Sequence, residues 1–161
     1  MTNKLKGIER FYNRIVNIYH PFLIVFFHKG RKKIAEKLNN NSPLKIADLG
    51  CNDALITTLL NSSHDYTGVD IAEKSIQKAQ RRSSTLKMHK TNFVVADIET
   101  SRMCNNHFDA VLLMFVLSVT PNPDVLLNKS HDILKKNGKL YILNHFSSVF
   151  VYQWLDTLLS K

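Results

Sequence analysis

From Leu44 onward, short continuous apolar runs alternate with stretches whose apolar residues recur at helical spacing, and this rhythm limits what the chain can fold into. Leu44 to Leu49, Tyr66 to Ile71, Asn92 to Ala96, Phe108 to Phe115 and Lys139 to Asn144 read as strands, the fourth almost wholly apolar. Ala54 to Leu60, Glu73 to Arg82 and Asp124 to Lys136 read as helices, the last closed by a turn at Asn137-Gly138. Strands that are apolar on both faces must be covered on both. The pattern therefore predicts an α/β fold with a parallel sheet between helical layers, not a half-exposed antiparallel sheet.

Ahead of this region, Leu5, Ile8, Tyr12, Ile15 and Tyr19 recur at spacings of three and four, with Lys4, Lys6, Arg10 and Arg14 between them. Pro21 divides this helix from a second, from Phe22 to about Leu38, which ends in the turn-rich Asn39-Asn40-Asn41-Ser42-Pro43. A length of 161 residues suits one domain, 1–161. Within it, residues 1–40 form a helical lid or membrane-contact segment and 44–148 the core. A hydrophobic share of 44% against 22% charged argues against disorder and against a multi-span membrane protein. The apolar run Phe22 to Phe27 falls far short of the roughly 20 residues that cross a bilayer. Cys51 and Cys104 make neither a disulfide framework nor a zinc pattern, which points to the cytoplasm. His20, His28, His64, His89, His107 and His131 show no ligand spacing, and no metal is expected. The net charge of +9 favours polyanionic partners, with basic clusters at Lys29 to Lys33, Lys78 to Lys90 and Lys135 to Lys139. In the last two clusters, Arg81-Arg82 and Lys135-Lys136 also suit helix C-termini, where cations complement the dipole.

In an open parallel sheet, ligands bind beyond the carboxyl ends of the strands. Three of those ends carry aspartate: Asp48, which enters Gly50-Cys51-Asn52-Asp53-Ala54, then Asp70, then Asp97. Asp70 or Asp97 alone would read as a cap for the helix that follows. Three together, the first followed by a glycine loop, point to a nucleotide-type cofactor. S-Adenosylmethionine fits, because its ribose diol, adenine amino group and methionine ammonium are all donors that carboxylates accept. Asp70 suits the ribose and Asp97 the adenine edge, with Ile71 and Ile98 placed to clamp the adenine faces. Gly50 lets the backbone come close to the methionine part. NAD is disfavoured, since its pyrophosphate wants G-x-G-x-x-G and here only the first glycine stands, with Asp53 adding a negative charge.

The segment Ile46-Ala47-Asp48-Leu49-Gly50-Cys51-Asn52-Asp53-Ala54 resembles the first motif of class I S-adenosylmethionine-dependent methyltransferases, usually acidic-x-G-x-G-x-G. Thr67 to Ile71, Val95 to Ile98, Phe108 to Val111 and Leu134 to Leu140 follow in the order and spacing of that family, so the resemblance covers roughly residues 8 to 148. It implies a Rossmann-like three-layer sandwich with strand order 3-2-1-4-5, N-terminal helices, and strands six and seven missing. It also implies cofactor contacts at Asp48, Gly50, Asn52, Asp70, Ile71, Asp97, Ile98 and Phe115. Asn52 and Ala54 stand where the family has its second and third glycines. Asn is the non-glycine residue best able to take the left-handed backbone such a loop needs.

Within that superfamily the chain most resembles the short soluble bacterial phosphatidylethanolamine N-methyltransferases. The resemblance rests on Arg10 to Tyr19, Phe27-His28-Lys29-Gly30-Arg31, Phe115 to Pro121 and Leu143-Asn144-His145-Phe146. It implies an amine-headgroup phospholipid as acceptor, an anionic membrane surface as partner, and a peripheral site on the inner face of the membrane. Tyr12, Tyr19 and His145 are the catalytic candidates, the tyrosines for cation–π contact with an ammonium and His145 as proton acceptor or phosphate contact. A small acceptor such as a quinone precursor suits the same core, and so does a truncated, inactive cofactor-binding fold. Nucleic acid is disfavoured: amino-methylating enzymes of that kind place a D/N-P-P-Y type motif after the fourth strand, where Met114-Phe115-Val116-Leu117 stands.

Overall fold

The computed structural model describes residues 27–144, apart from Ser42 and His89. Helix α1 (residues 27–39) leads into β1 (Lys45–Leu49), a single 3-10 turn (Leu55–Thr58), β2 (Asp65–Asp70), α2 (Glu73–Thr85) and β3 (Lys90–Val95). Then come β4 (Phe108–Met114), α3 (Pro123–Ile133) and β5 (Leu134–Leu143). The strands form one sheet in the order β3-β2-β1-β4-β5, and every neighbouring pair is parallel. The expected fold class and strand order are both found.

The pleat sorts the core into two layers. Ile46 on β1 and Ala110, Leu112 and Met114 on β4 pack with Ile34, Ala35 and Leu38 of α1 and Ala79 of α2. Their neighbours Ala47, Leu49, Val111 and Leu113 face the other way, against Leu126 and Ile133 of α3. The near-continuous apolar runs of β1 and β4 are thus both faces of two of the three inner strands, each pressed against helix.

Asn39, at the end of α1, ties the helix to the segment before β2. Asn39 donates from Nδ2 to the Leu59 carbonyl at 2.8 Å and accepts the Asn61 N–H at 2.8 Å. The buried His64 ring receives the Leu44 N–H on Nδ1 at 3.0 Å, so the nitrogen facing Asn39 Oδ1, Nε2, carries the proton. Burial pushes this imidazole below its ordinary value, in keeping with the neutral ring.

Two expected elements differ. The helix predicted from Ala54 to Leu60 is only the Leu55–Thr58 turn. Ala54 is left-handed, and the hydroxyls of Thr57 and Thr58 donate back to the carbonyls of Ala54 and Leu55, three residues earlier, which favours the tighter turn. The helix predicted to reach Lys136 stops at Ile133. Leu134 already pairs with Phe108, and the next pair on the other side of Asp109 is Ala110 with Lys139, so residues 135–138 bulge out of β5. The turn at Asn137-Gly138 is this bulge, with Asn137 left-handed at φ 66°. Lys135 consequently does not complement a helix end. Its ammonium lies 2.7 Å from Asp109 Oδ1, while Asp109 Oδ2 receives the Lys45 N–H at 2.8 Å. Burial alone would raise the Asp109 carboxyl, but these contacts outweigh it and hold the group below its ordinary value.

Candidate cofactor site

The loops beyond the carboxyl ends of β1 to β4 enclose a cavity of about 470 Å³. Gly50, Asn52, Asp70, Ile71, Asp97, Ile98 and Phe115 all line it. Seven of the eight residues expected at the cofactor therefore meet in one crevice.

The loop after β1 is built by left-handed backbone. Gly50 stands at φ +78°, Asn52 and Ala54 each at φ 50°, and the N–H groups of Gly50 and Cys51 both reach the Val69 carbonyl, at 2.8 and 3.1 Å. A Cβ on Gly50 would sit 2.7 Å from Val116 Cγ2, inside any real contact distance. The missing side chain is what lets the loop pass under Val116. Asn52 takes the conformation expected of it, and Ala54 holds the same region at a cost of about 1 kcal/mol. Cys51 is buried against Gly68, and burial pushes its thiol well above the ordinary value, which makes it an inert packing group.

Asp70 ties two of these loops together. Its Oδ2 accepts the Asn52 N–H and its Oδ1 accepts the Ala72 N–H, each at 2.8 Å. The second bond braces the start of α2, and the first fixes the glycine loop. Because each carboxylate oxygen has a further lone pair, both remain able to accept from a diol. Asp97 Oδ1 accepts the Glu99 N–H at 2.9 Å. Ile71, beside Asp70, is 73% exposed and presents an apolar face to the crevice. The turn bearing Asp97 and Ile98 is held from two sides. Lys129 on α3 donates to the carbonyls of Ile98 and Ser101, while Glu99 accepts from Thr120 Oγ1 at 2.5 Å and from Asn122 Nδ2 at 2.7 Å. Those bonds, the one from Thr120 first, hold the half-buried Glu99 carboxyl below its ordinary value.

Asp48 is placed differently from the expectation that it touches the cofactor. It shares the pleat direction of Ile46, is fully buried beneath the glycine loop, and does not line the cavity. The Tyr66 hydroxyl donates to its Oδ2 at 2.6 Å, whereas Oδ1 is buried without a hydrogen-bond partner. Burial, against the opposing pull of Tyr66 and Arg31, raises this carboxyl to about 7.

That shift has a signed consequence for stability. An unfolded aspartate releases its proton near about pH 4, and folded Asp48 near about 7. Between those values only the native state keeps the proton, so this contribution to stability falls as pH rises through the window and is constant above it. Asp48→Asn stays neutral throughout. Its stability relative to the unaltered chain is expected to increase by on the order of a few kcal/mol between pH 4.5 and 7.5, as read from urea denaturation at each pH. A difference that does not change with pH would contradict the raised value.

Several residues of the site escaped the sequence reading. Arg31 reaches the cavity from α1, its guanidinium carbon 5.2 Å from the centre of the Phe115 ring. Phe115 itself is left-handed at φ 62°, a strained position for a bulky residue, and its ring lies 4.1 Å from that of Phe27. Asp53 also lines the cavity, with Arg82 of α2 paired to its Oδ2 at 2.9 Å and bonded to its backbone carbonyl. Arg82 stands in the last turn of α2, as expected, and its pairing with Asp53 is additional. The catalytic candidates Tyr12, Tyr19 and His145 lie outside the described residues. Among the described residues no group of histidine, cysteine or acidic side chains is arranged to hold a metal ion.

Comparison with known proteins agrees with this geometry. Residues 47–142 match the family model described as a methyltransferase domain. Over 145 residues the chain is 22% identical to a phosphatidylethanolamine N-methyltransferase of Cereibacter sphaeroides, covering 89% of this chain and 70% of that protein. It is 26% identical over 111 residues to a ubiquinone biosynthesis O-methyltransferase of Coxiella burnetii, covering 66% of this chain and 47% of that one, so the chain spans about half of the latter's length. Among solved structures, an S-adenosylmethionine-dependent methyltransferase of Methanosarcina mazei superposes with a TM-score of 0.64 at 20% identity, over 75% of this chain and 61% of that one. The sheet order, the glycine loop under Val116 and the family match converge on one conclusion: the chain belongs to the methyltransferase domain family, and its cofactor is S-adenosylmethionine.

Proposed function

We propose that this chain transfers a methyl group from S-adenosylmethionine to the amine of phosphatidylethanolamine or its partly methylated forms. The observation that carries the acceptor is the extent of likeness to the Cereibacter sphaeroides phosphatidylethanolamine N-methyltransferase, 89% of this chain against 66% for the Coxiella burnetii O-methyltransferase. The electrostatics support a cationic guest. The cavity is lined by Asp53, Asp70, Asp97 and Glu99 against one guanidinium, Arg31. Asp70 would hold the ribose and Asp97 the adenine edge, with Ile71 and Ile98 against the ring faces. Gly50 and Asn52 would line the methionine part, with Phe115 at the same end.

When bound, the cofactor supplies an electrophilic methyl on a sulfonium, and the protein's work is chiefly to align donor and acceptor. An amine acceptor must first lose a proton, which at neutral pH costs roughly 3 to 4 kcal/mol. His145 is the proposed proton acceptor or phosphate contact, and Tyr12 and Tyr19 the proposed aromatic walls for the ammonium. Val119, 75% exposed, and Ile71 give the crevice mouth two apolar projections suited to a lipid surface. We further propose that the basic N-terminal segment draws the protein to anionic membrane from the cytoplasmic side. No helix among the described residues is long and apolar enough to cross a membrane.

Incubation with cofactor labelled on the methyl group, offered phosphatidylethanolamine vesicles containing anionic lipid or a soluble catechol of the quinone-precursor type, tests the reading. Label is expected in the lipid amine fraction, with little in the phenol. Label in the phenol alone would replace the lipid by a small-molecule acceptor, the reading that the O-methyltransferase relative supports. Cofactor binding without transfer to either would favour an inactive cofactor-binding fold.

A further inference from the structure

We infer that Lys129 of α3 sets the selectivity of the crevice for adenine, as a positioning residue that aims the Asp97 carboxylate through the turn between them. The inference rests on the proposed contact of Asp97 with the adenine edge and adds what holds that carboxylate in place.

The connection from β3 to β4, residues 96–107, contains no helix. Such a segment lacks the regular backbone bonds of a helix, so its covered carbonyls need donors from elsewhere. Ala96, Ile98 and Met103 pack with Leu126 and Ile133 of α3, and α3 supplies the donors. The Lys129 ammonium donates to the Ile98 carbonyl at 2.6 Å, to Ser101 Oγ at 2.8 Å and to the Ser101 carbonyl. It has three protons, and these three acceptors use all of them. Lys129 also stands where a core residue would be expected. Three residues after Leu126 and four before Ile133, it shares the inward stripe of those buried side chains. Burial lowers the ammonium from the ordinary lysine value, and the Asp97 carboxylate pulls the other way.

The turn that Lys129 grips is the one that carries Asp97. The Ser101 N–H donates back to the Asp97 carbonyl at 2.8 Å, and the Glu99 N–H donates to Asp97 Oδ1 at 2.9 Å, so residues 97–101 form one closed unit. Glu99 fastens that unit a second time, accepting from the N–H and the side chain of Asn122 at the start of α3, at 3.0 and 2.7 Å. Lys129 lies two turns further on, about 10 Å along the helix. Two anchors that far apart on one rigid element fix the rotation of the turn as well as its place. The direction in which Asp97 meets the crevice is fixed with it. A carboxylate only accepts, so one held at the base edge favours the 6-amino group of adenine and repels the 6-oxo group of hypoxanthine. Released, it would turn to water and the distinction would fade.

Calorimetry tests this with S-adenosylhomocysteine and S-inosylhomocysteine, which differ only in that amino or oxo group, on the full chain, Lys129→Met and Lys129→Gln. The unaltered protein is expected to prefer the adenine ligand by about tenfold or more. In Lys129→Met the preference should shrink to about threefold or less, through weaker binding of the adenine ligand, with the inosine ligand bound nearly as before. Lys129→Gln, which offers two donor protons in place of three, should fall between, and it serves as the test variant if Lys129→Met does not fold. Equal loss for both ligands in the variants would overturn the inference and make Lys129 a structural brace only. An undiminished preference would overturn it as well. If the unaltered chain bound both ligands alike, Asp97 would not read the amino group, and the inference would fall while the cofactor site stood. If it bound neither, the cofactor reading itself would fall.

Discussion

A Gly50→Ala chain is expected to bind S-adenosylhomocysteine at least about thirtyfold more weakly than the unaltered protein, and to melt at a lower temperature. Two separate costs produce this. At φ +78° an L-residue is strained by roughly 1 to 2 kcal/mol. The added methyl also stands 2.7 Å from Val116 Cγ2 and 3.0 Å from Val116 Cβ, and the latter has no free torsion with which to retreat. Overpacking of that kind typically costs roughly 1 to 3 kcal/mol. Relief by displacing the loop would break the bonds from Gly50 and Cys51 to the Val69 carbonyl, which fix the floor of the crevice. Combining Gly50→Ala with Val116→Ala removes the overlap and leaves the backbone strain, so calorimetry and thermal melting of the pair should recover part of the loss. No recovery would mean that the close approach to Val116 is unimportant.

Asp70→Ala is the second large effect. Removing this carboxylate takes away the acceptors of the Asn52 and Ala72 N–H groups as well as the proposed ribose contact. Bonds to a charged acceptor are worth about 1.5 to 3 kcal/mol each. Cofactor affinity should therefore fall at least about tenfold, and the loss should be the same for 5′-methylthioadenosine, which keeps the ribose and lacks the amino-acid part. Asp70→Asn, which keeps one acceptor oxygen, should fall between Asp70→Ala and the unaltered chain. If Asp70→Ala weakened S-adenosylmethionine but left methylthioadenosine untouched, the carboxylate would belong at the methionine end.

These two positions were legible in the sequence because their signal is local. A strand followed at once by a glycine, and an aspartate closing the next strand, are patterns written in consecutive residues, whereas the lack of room for a side chain at Gly50 is set by Val116, far along the chain. The parallel sheet was legible for the same reason: Ile46 to Leu49 and Ala110 to Leu113 are apolar at every pleat except Asp48. What could not be read depends on residues far apart. Arg82 looked like a cation at a helix end, and only the packing of α2 brings it to Asp53, 29 residues earlier. Arg31 sat in a basic run that reads as a surface stripe, and its place over Phe115 follows from α1 lying against β5. Lys135 and Lys136, by contrast, stand at no helix end. A helical pattern was carried three residues too far because Leu134 satisfies helix and strand periodicity alike, and its pairing with Phe108 decides the matter. For Asp48 the sequence places an acid at the strand end but does not say whether its side chain faces ligand or core. The alternation along β1 settles that, sending it to the side of Ile46 and Tyr66.

The central claim is that the loops after β1 to β4 form the cofactor pocket, and amide chemical-shift mapping with S-adenosylhomocysteine tests it most directly. The perturbed N–H groups should be those of Gly50 to Asp53, Ile71, Ile98, Glu99 and Phe115, reached with a single saturating site. Shifts gathered instead around Lys37, Asn41 and Lys135 to Lys139, at the opposite edge of the sheet, would contradict the account.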